Sequence, residues 1–259
     1  MKALNTFLEG IGRFVIRLTE QTGLWFTMLW RAITWGFRPP YEVKEWLRQM
    51  ERVGFESIPV VFLTAMFTGM VLSLQTYTGL QRVHAENFVG SIVALAMLRE
   101  LSPVLCGFMV AGRVASSMAA EIGTMRVTEQ LDALEALATD AVQYLFVPRI
   151  IAGITMLPLL VLLGDALGIY GGYVVAVKLM HTNPVVYMEN SYQFVKMNDI
   201  WSGLIKASAF GLILTTTGCV RGYYTSGGAE GVGRSTTAAV VSASLSIVVA
   251  DFFLTKILF

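Results

Sequence analysis

Long apolar runs divide this chain of 259 residues into five segments that are long enough to cross a membrane. They cover about residues 58–80, 88–112, 146–177, 200–220 and 238–259. A bilayer core of roughly 30 Å needs about 20 apolar residues in a helix, and every run reaches about that length. The third run is too long for one upright span and too short for two, so we expect one tilted or kinked span that projects beyond the bilayer, with Pro158 as the position of a kink. The pattern predicts an all-α integral membrane protein with about five transmembrane helices.

The first 56 residues follow a different pattern, in which apolar residues recur at helical spacing with charged residues between them. Four tryptophans follow among arginines and lysines, as expected at the depth of the lipid headgroups. They are Trp25, Trp30, Trp35 and Trp46. Pro39 and Pro40 separate this stretch from a second polar helix at about residues 41–53. We therefore predict N-terminal interfacial helices at residues 1–56 and a transmembrane domain at residues 57–259.

Composition and charge agree with a membrane protein. Hydrophobic residues make up 55% of the chain and charged residues 14%, whereas soluble domains have about 25% charged residues. The net charge of +1 gives no sign of a nucleic-acid partner. Lys and Arg are concentrated in residues 1–56, 113–149 and 218–235, which hold thirteen. The alternate loops and the C-terminus hold five, namely Arg82, Lys178, Lys196, Lys206 and Lys256. By the positive-inside tendency, the N-terminus and the segment after the second run lie in the cytoplasm.

That cytoplasmic segment contains the sequence MRVTEQLDALEAL and predicts an amphipathic helix at about residues 124–138. Its apolar stripe consists of Val127, Leu131, Leu134 and Ala138. Residues 121–140 hold five acidic side chains against Arg126 alone, whereas helices that lie on a membrane surface are usually rich in Lys and Arg. Docking in the groove of a soluble partner is therefore favoured over the alternative, a helix that lies flat on the membrane.

The second apolar run carries two adjacent charges, Arg99 and Glu100, near its middle. Ionisable groups at such depth are costly and usually face the interior of a helical bundle or a wet cavity. Adjacent residues point about 100° apart on a helix, so each charge needs a partner on another helix, a lipid headgroup or water. Two interpretations remain open. Both residues anchor neighbouring helices, or Arg99 meets an anionic headgroup while Glu100 fixes the helices.

Other candidate motifs carry no chemistry. The segment GAEGVGRS, at residues 228–235, nearly fits a phosphate-binding loop, but it joins two apolar runs and lacks the preceding strand that such loops need. We interpret it as a flexible cytoplasmic loop. The two cysteines and two histidines have no spacing that suits a metal site or a catalytic triad. We predict no catalytic residue, no metal site and no cofactor in this chain.

The segments LRELSPV and AGRVASSMAAEIGTMRVTEQLDAL resemble the MlaE/YrbE permeases of bacterial ABC transporters that move phospholipids. The resemblance extends from about residue 57 to the C-terminus. It implies a multi-pass homodimer in the bacterial inner membrane, with a cytoplasmic N-terminus and two ATPase subunits that bind ATP and Mg. It also implies an MCE-domain lipid-binding protein, often a STAS-domain partner, and a role in outer-membrane lipid homeostasis.

The resemblance implies a lipid cavity between the first, second and fifth spans, and a coupling helix between the second and third. The candidate lipid-binding residues are Arg99, Glu100, Leu72, Gln75 and Tyr77. The candidate ATPase-coupling residues are Glu121, Arg126, Val127, Glu129, Gln130, Leu131, Asp132 and Leu134. The alternative is a gradient-driven secondary transporter of an amphipathic substrate, with Asp165, Asp251 or Glu100 as proton sites. A third possibility is a subunit that only scaffolds an assembly.

Overall fold

The computed structural model of the chain describes residues 2–39 and 42–259. Within these residues, five helical segments are long and apolar enough to cross a membrane. They are Val43–Gln81, Glu86–Val127, Val142–Leu179, Met197–Tyr223 and Gly228–Leu258. The prediction of an all-α integral membrane protein with five spans is confirmed. The third span is a single long helical segment, as its length required, and Pro158 lies inside it.

The helices follow one another along the chain with short connections. They are α1 (Lys2–Gly36), α2 (Val43–Val53), α3 (Ile58–Gln81), α4 (Val89–Ala96), α5 (Ser102–Val110), α6 (Ser116–Val127), α7 (Gln130–Ala136), α8 (Val147–Val174), α9 (Pro184–Phe194), α10 (Met197–Tyr223) and α11 (Gly228–Leu258). The interfacial face expected for the first twenty residues falls mostly on side chains outside the described ones, and Pro40 is also outside the described residues.

The second span runs through α4, α5 and α6, which are joined by π-helical turns at Met97–Leu101 and Ala111–Ala115. Pro103 lies just after the first of these turns. Proline has no N–H and its ring clashes with the carbonyl of the residue four positions earlier, which here is Arg99. A π turn accommodates this clash by adding a residue to one turn of the helix. The sequence therefore leaves the carbonyl of Arg99 without its usual helical partner.

The α8 helix lies at the centre of the fold, packed between α3 and α10. Glycines allow the backbones to approach closely. A Cβ built on Gly69 of α3 would lie 1.9 Å from the carbonyl oxygen of Gly168, and one built on Gly211 of α10 would lie 2.2 Å from the carbonyl oxygen of Gly153. Because glycine has no side chain, α3 and α10 can each pack with their backbones in direct contact with the backbone of α8. The main core forms around them, with Phe146, Leu157, Phe210 and Leu214 fully buried.

A second apolar cluster lies at the other end of the bundle, where α9 packs on α4. It consists of Val89, Val93, Met97, Ala176 and Tyr187, all buried. Asn183 caps α9 by accepting a hydrogen bond of 2.9 Å from the N–H of Val185. Burial raises the pKa of the Tyr187 phenol, which therefore stays protonated. The long segment between the third and fourth spans is thus a packed helix rather than an open loop.

Two local predictions are wrong. The segment at residues 228–235 is helical and forms the first turns of α11; the turn itself lies at Gly227 and Gly228, which have φ of 91° and 66°. A hydrogen bond of 2.8 Å from the Thr225 hydroxyl to Ser235 ties the turn to the helix, so the segment is not a flexible loop. The expected helix at 124–138 is also broken, because Glu129 has a left-handed φ of 59° between α6 and α7.

Candidate functional site

Arg99 makes a double contact with Asp199, at the start of the fourth span. Its Nε and Nη2 lie 2.8 and 2.7 Å from Asp199 Oδ1. The Asp199 side chain is only 2% exposed, and its other oxygen accepts a hydrogen bond from the backbone N–H of Lys196, which fixes it at the first turn of α10. Arg99 itself is 38% exposed, and the Phe259 ring covers one face of its guanidinium at 4.4 Å. The pair therefore joins a rigid carboxylate to a partly open cation.

Lys206 lies two turns further along α10 and is completely buried. Its ammonium group lies 2.7 Å from Glu100 Oε2 and 3.0 Å from Asp251 Oδ1, and it donates a 3.0 Å hydrogen bond to the carbonyl of Arg99. The ammonium thus donates hydrogen bonds to Glu100 and to the Arg99 carbonyl, and its contact with Asp251 is an ion pair without hydrogen-bond geometry. The acceptor at Arg99 is the carbonyl that Pro103 leaves free. Lys206 therefore ties the second, fourth and fifth spans together.

The charges of this cluster do not cancel. Three carboxylates, from Glu100, Asp199 and Asp251, face two cations, from Arg99 and Lys206. Glu100 is further held by a 3.3 Å hydrogen bond from Thr255 of α11. One negative charge is therefore in excess at a site that is only partly open to its surroundings. We call these five charged residues the charged cluster.

Of the partners that the sequence left open for Arg99 and Glu100, the structure shows one on another helix for each. Neither partner, Asp199 of Arg99 or Lys206 of Glu100, was predicted from the sequence. Lys206 was assigned to a loop, but it lies inside the fourth span. The sequence does contain a signal for these partners. Asp199 lies just before the fourth apolar run and Lys206 lies within it, and their spacing of seven residues puts them on one helix face. The resemblance implied that the first and fifth spans surround the charge pair on the second span. The fourth span contacts it as well.

The candidate lipid-binding residues of the first span lie apart from these ion pairs. Leu72 and Tyr77 pack against the second apolar cluster, and Gln75 is exposed on α3. Their assignment to lipid binding stays a prediction. Asp165, in α8, is buried and faces the hydroxyl of Ser102, the residue that directly follows the π turn with the charge pair.

The candidate coupling segment differs from the expected stripe. Leu131 is fully buried in the main core and Leu134 packs against it, so neither forms an open apolar surface. The break at Glu129 separates Val127 from both. Val127 and Ala138 of the predicted stripe are exposed, and the most exposed large apolar side chain of the segment is Leu137, at 76%. The acidic residues expected at the rim, Glu129 and Asp132, are exposed, as is Gln130.

Three of the candidate coupling residues, Glu121, Arg126 and Asp132, form ion pairs within the chain. Glu121 lies 2.9 Å from Arg149 and 3.3 Å from Arg52, so its carboxylate joins α6 to α8 and α2. Arg126 lies 2.7 Å from Asp132, across the break between α6 and α7. Arg149 is 2% exposed and was not singled out from the sequence. These contacts position the segment, and a direct role for Glu121 at a partner surface stays a prediction.

Five helices that are long and apolar enough to cross a membrane, with ion pairs inside their bundle, define a polytopic membrane protein. Residues 46–257 match the family model described as Permease MlaE. The chain belongs to the MlaE permease family.

Relatives match over nearly the whole chain. A probable ABC transporter permease protein of Rickettsia bellii is 46% identical over 256 residues, covering 99% of each chain. The intermembrane phospholipid transport system permease protein MlaE of Haemophilus influenzae is 36% identical over 256 residues, covering 98% of this chain and 97% of its own. A probable ABC transporter permease protein of Synechocystis is 45% identical over 213 residues, covering 82% of this chain and 81% of its own.

Proposed function

We propose that this chain is the membrane subunit of an ABC transporter that moves phospholipids between the inner membrane and an MCE-domain lipid carrier. ATP and Mg bind to two copies of a separate ATPase subunit, and outer-membrane lipid homeostasis is the biological role. The name of the Haemophilus relative, which specifies intermembrane phospholipid transport, supports this substrate. The complex also contains a STAS-domain protein, as the family resemblance implies.

The observation that carries the proposal is the partly exposed Arg99. A guanidinium has five N–H donors, and Asp199 engages only Nε and Nη2, so donors remain for a lipid phosphate. The excess negative charge of the charged cluster disfavours a purely anionic headgroup. A zwitterionic headgroup fits better, with its phosphate at Arg99 and its ammonium near Glu100 and Asp251. Lys206 is completely buried and acts as an anchor.

Two copies of the chain form the working unit in this proposal. The first and fifth spans bury the smallest share of their most apolar windows within the chain, 28% and 17%. These faces are available to lipid or to a second copy. Glu100 and Asp251 reach the bundle surface beside α11, so a homodimer through α3 and α11 would enclose the charged cluster and create the lipid cavity.

Coupling to the ATPase uses the exposed face of α7 and the turn that precedes it. Leu137 supplies the apolar anchor, and Glu129, Asp132 and Glu135 supply an acidic rim for basic groups of the partner. The core contact of Leu131 and the ion pairs of Glu121 then transmit the movement to the bundle. The segment thus has one face for the partner and one for the permease.

A gradient-driven carrier remains the second candidate function. Asp165 favours it, because it is a buried carboxyl inside a span with no ion-pair partner among the described residues, and such groups are typical of proton relays. Glu100 and Asp251 fit it less well, since both are paired with Lys206. A carrier should transport alone when given an ion gradient, whereas an ABC permease needs its ATPase and ATP. Membership in a permease family with ABC transporter relatives favours the latter.

The test of headgroup binding is phospholipid retention by an Arg99 variant. Arg99→Ala alone would leave Asp199 buried and unpaired, which typically costs about 3–5 kcal/mol of stability. The informative variant is therefore Arg99→Ala with Asp199→Asn, purified with its native ATPase. We expect retained phospholipid to fall severalfold while the complex stays assembled, and Arg82→Ala to have no effect. A complex that dissociates while its lipid content is unchanged would instead make Arg99 a helix anchor.

A further inference from the structure

A small polar cavity lies at the opposite end of the second span from the charged cluster. It has a volume of about 110 Å³ and lies between α2, the start of the first span and α6. At about 30 Å³ for each water molecule, this is room for three to four waters, close to the size of a phosphate group. Its polar lining consists of Gln49, Arg52, Glu56, Arg113, Ser117 and Glu121.

Two of the three guanidinium groups around this cavity are firmly held. Arg113 donates from Nη1 to Glu56 at 2.9 Å, from Nε to the Ser57 hydroxyl at 3.1 Å, and from Nη2 to the backbone carbonyl of Arg52. Arg149, behind the cavity wall, lies 2.9 Å from Glu121. The contacts of Arg113 with Glu56 and of Arg149 with Glu121, both at 2.9 Å, have the length of charge-assisted hydrogen bonds. They build the wall of the cavity and leave few donors for a ligand.

Arg52 is different. Only its Nη1 is engaged, at 3.3 and 3.4 Å from the two oxygens of Glu121, which is long compared with the roughly 2.7–2.9 Å of strong ionic hydrogen bonds. Its Nε and Nη2 have no partner in the part of the chain that the structure describes. Since Arg149 holds Glu121 independently, Arg52 can turn to another anion without leaving Glu121 unpaired.

The charge balance of the cavity favours an anion. In the lining, Arg52 and Arg113 balance Glu56 and Glu121, and Arg149 behind the wall adds one positive charge to the surroundings of the cavity. This sign is opposite to that of the charged cluster. The two sites therefore select different groups.

The surroundings indicate where the anion comes from. Leu47 of α2 and Phe55, in the turn before α3, flank Arg52 in the sequence and are mostly exposed, at 63% and 71%. Exposed apolar side chains beside a cation at the start of a span are typical of the membrane interface. We propose that this cavity binds the phosphate of a phospholipid from the leaflet against which α2 lies. This lipid is resident and is not cargo, so the proposal does not depend on the transport function.

A local cross-linking experiment tests the site. The photoreactive residue p-benzoylphenylalanine is placed at Ser117, which is exposed and lines the cavity, in the full complex in vesicles of phosphatidylglycerol and phosphatidylcholine. We expect a phospholipid adduct by mass spectrometry. Arg52→Gln should reduce its yield about tenfold, the effect of losing a charged hydrogen-bond partner, and Arg52→Lys should restore most of it. The matched control is Arg48→Gln, which removes an equal charge from α2 one turn away, outside the cavity lining.

Three outcomes would overturn the proposal. Equal yields in Arg52→Gln and Arg48→Gln would show that Arg52 does not hold the lipid. Loss of the adduct in millimolar inorganic phosphate would make the cavity a site for anions from solution. An adduct with a partner subunit in place of lipid would make it a docking surface. Since Arg99 is unchanged in all these variants, failure here would leave the transport proposal intact.

Discussion

Pro103 and Lys206 show how single residues build the charged cluster. Pro103 removes the helical partner of the Arg99 carbonyl, and Lys206 supplies a replacement from another helix. The sequence could predict that Arg99 and Glu100 need partners, because charges inside an apolar run are costly. It could not predict which partners, since Asp199 and Lys206 are about a hundred residues away and periodicity reports only on neighbours. Only the packing of α10 against the second span brings them together.

Lys206 is the residue on which we expect the cluster to depend most. In Lys206→Met, Glu100 and Asp251 lose their shared cation, and breaking a buried ion pair from one side typically costs about 3–5 kcal/mol. Thermal unfolding of the detergent-solubilised protein should show a lower midpoint. Adding Glu100→Gln and Asp251→Asn should recover much of the loss. Lys256→Met, at an exposed position of α11, is the control and should unfold like the parent protein. An unchanged midpoint in Lys206→Met would contradict the anchoring role.

At the scale of helices, length and hydrophobicity were sufficient to predict the five spans, but not their ends. The segment at 228–235 is rich in glycine and was expected to be a loop, yet Gly227 already provides the left-handed turn and the helix begins at once. The segment at 124–138 has continuous amphipathic spacing, yet it breaks at Glu129. In both cases tertiary contacts overrode local propensity. Leu131 lies in the core although the left-handed residue Glu129 interrupts the helix just before it.

The contact between α3 and α8 gives a prediction for helix packing. Gly69→Ala should push the helices apart, because the added Cβ would lie 1.9 Å from the carbonyl oxygen of Gly168. Overpacking of this kind costs about 1–3 kcal/mol, and the thermal midpoint should fall accordingly. Gly79→Ala, in the same helix with no atom within 4 Å of the added Cβ, should leave it unchanged or slightly higher. Equal midpoints for the two variants would refute the close contact.

The coupling segment gives a second prediction at this scale. Leu137→Asp should reduce the recovery of the ATPase with the purified permease at least severalfold, because interface hot spots are typically worth about 2 kcal/mol or more. The permease itself should fold normally, since Leu137 is exposed. Leu131→Asp should instead impair folding, because it buries a charge in the core. If Leu137→Asp co-purifies with a full complement of ATPase, this surface is not the coupling contact.

For the whole molecule, the distribution of Lys and Arg predicts the orientation in the membrane. Single cysteines at Glu86 and Asn190 should react with an impermeant maleimide in intact cells, and cysteines at Asp132 and Glu230 should react only after permeabilisation. Cys106 and Cys219 are both buried, so the background should be low. Labelling at Asp132 from outside would reverse the orientation and remove the coupling segment from the cytoplasm.

We propose that this chain transports phospholipid and that ATP hydrolysis by its partner subunit drives the transport. The most direct measurement is the transfer of a labelled phospholipid between proteoliposomes, which contain the permease with its co-purified ATPase, and the soluble domain of its lipid carrier. We expect transfer that requires ATP and Mg and that is lost in Arg99→Ala with Asp199→Asn, while ATPase recovery is unchanged. Transfer by the permease alone in response to an ion gradient, with no effect of ATP, would contradict the account.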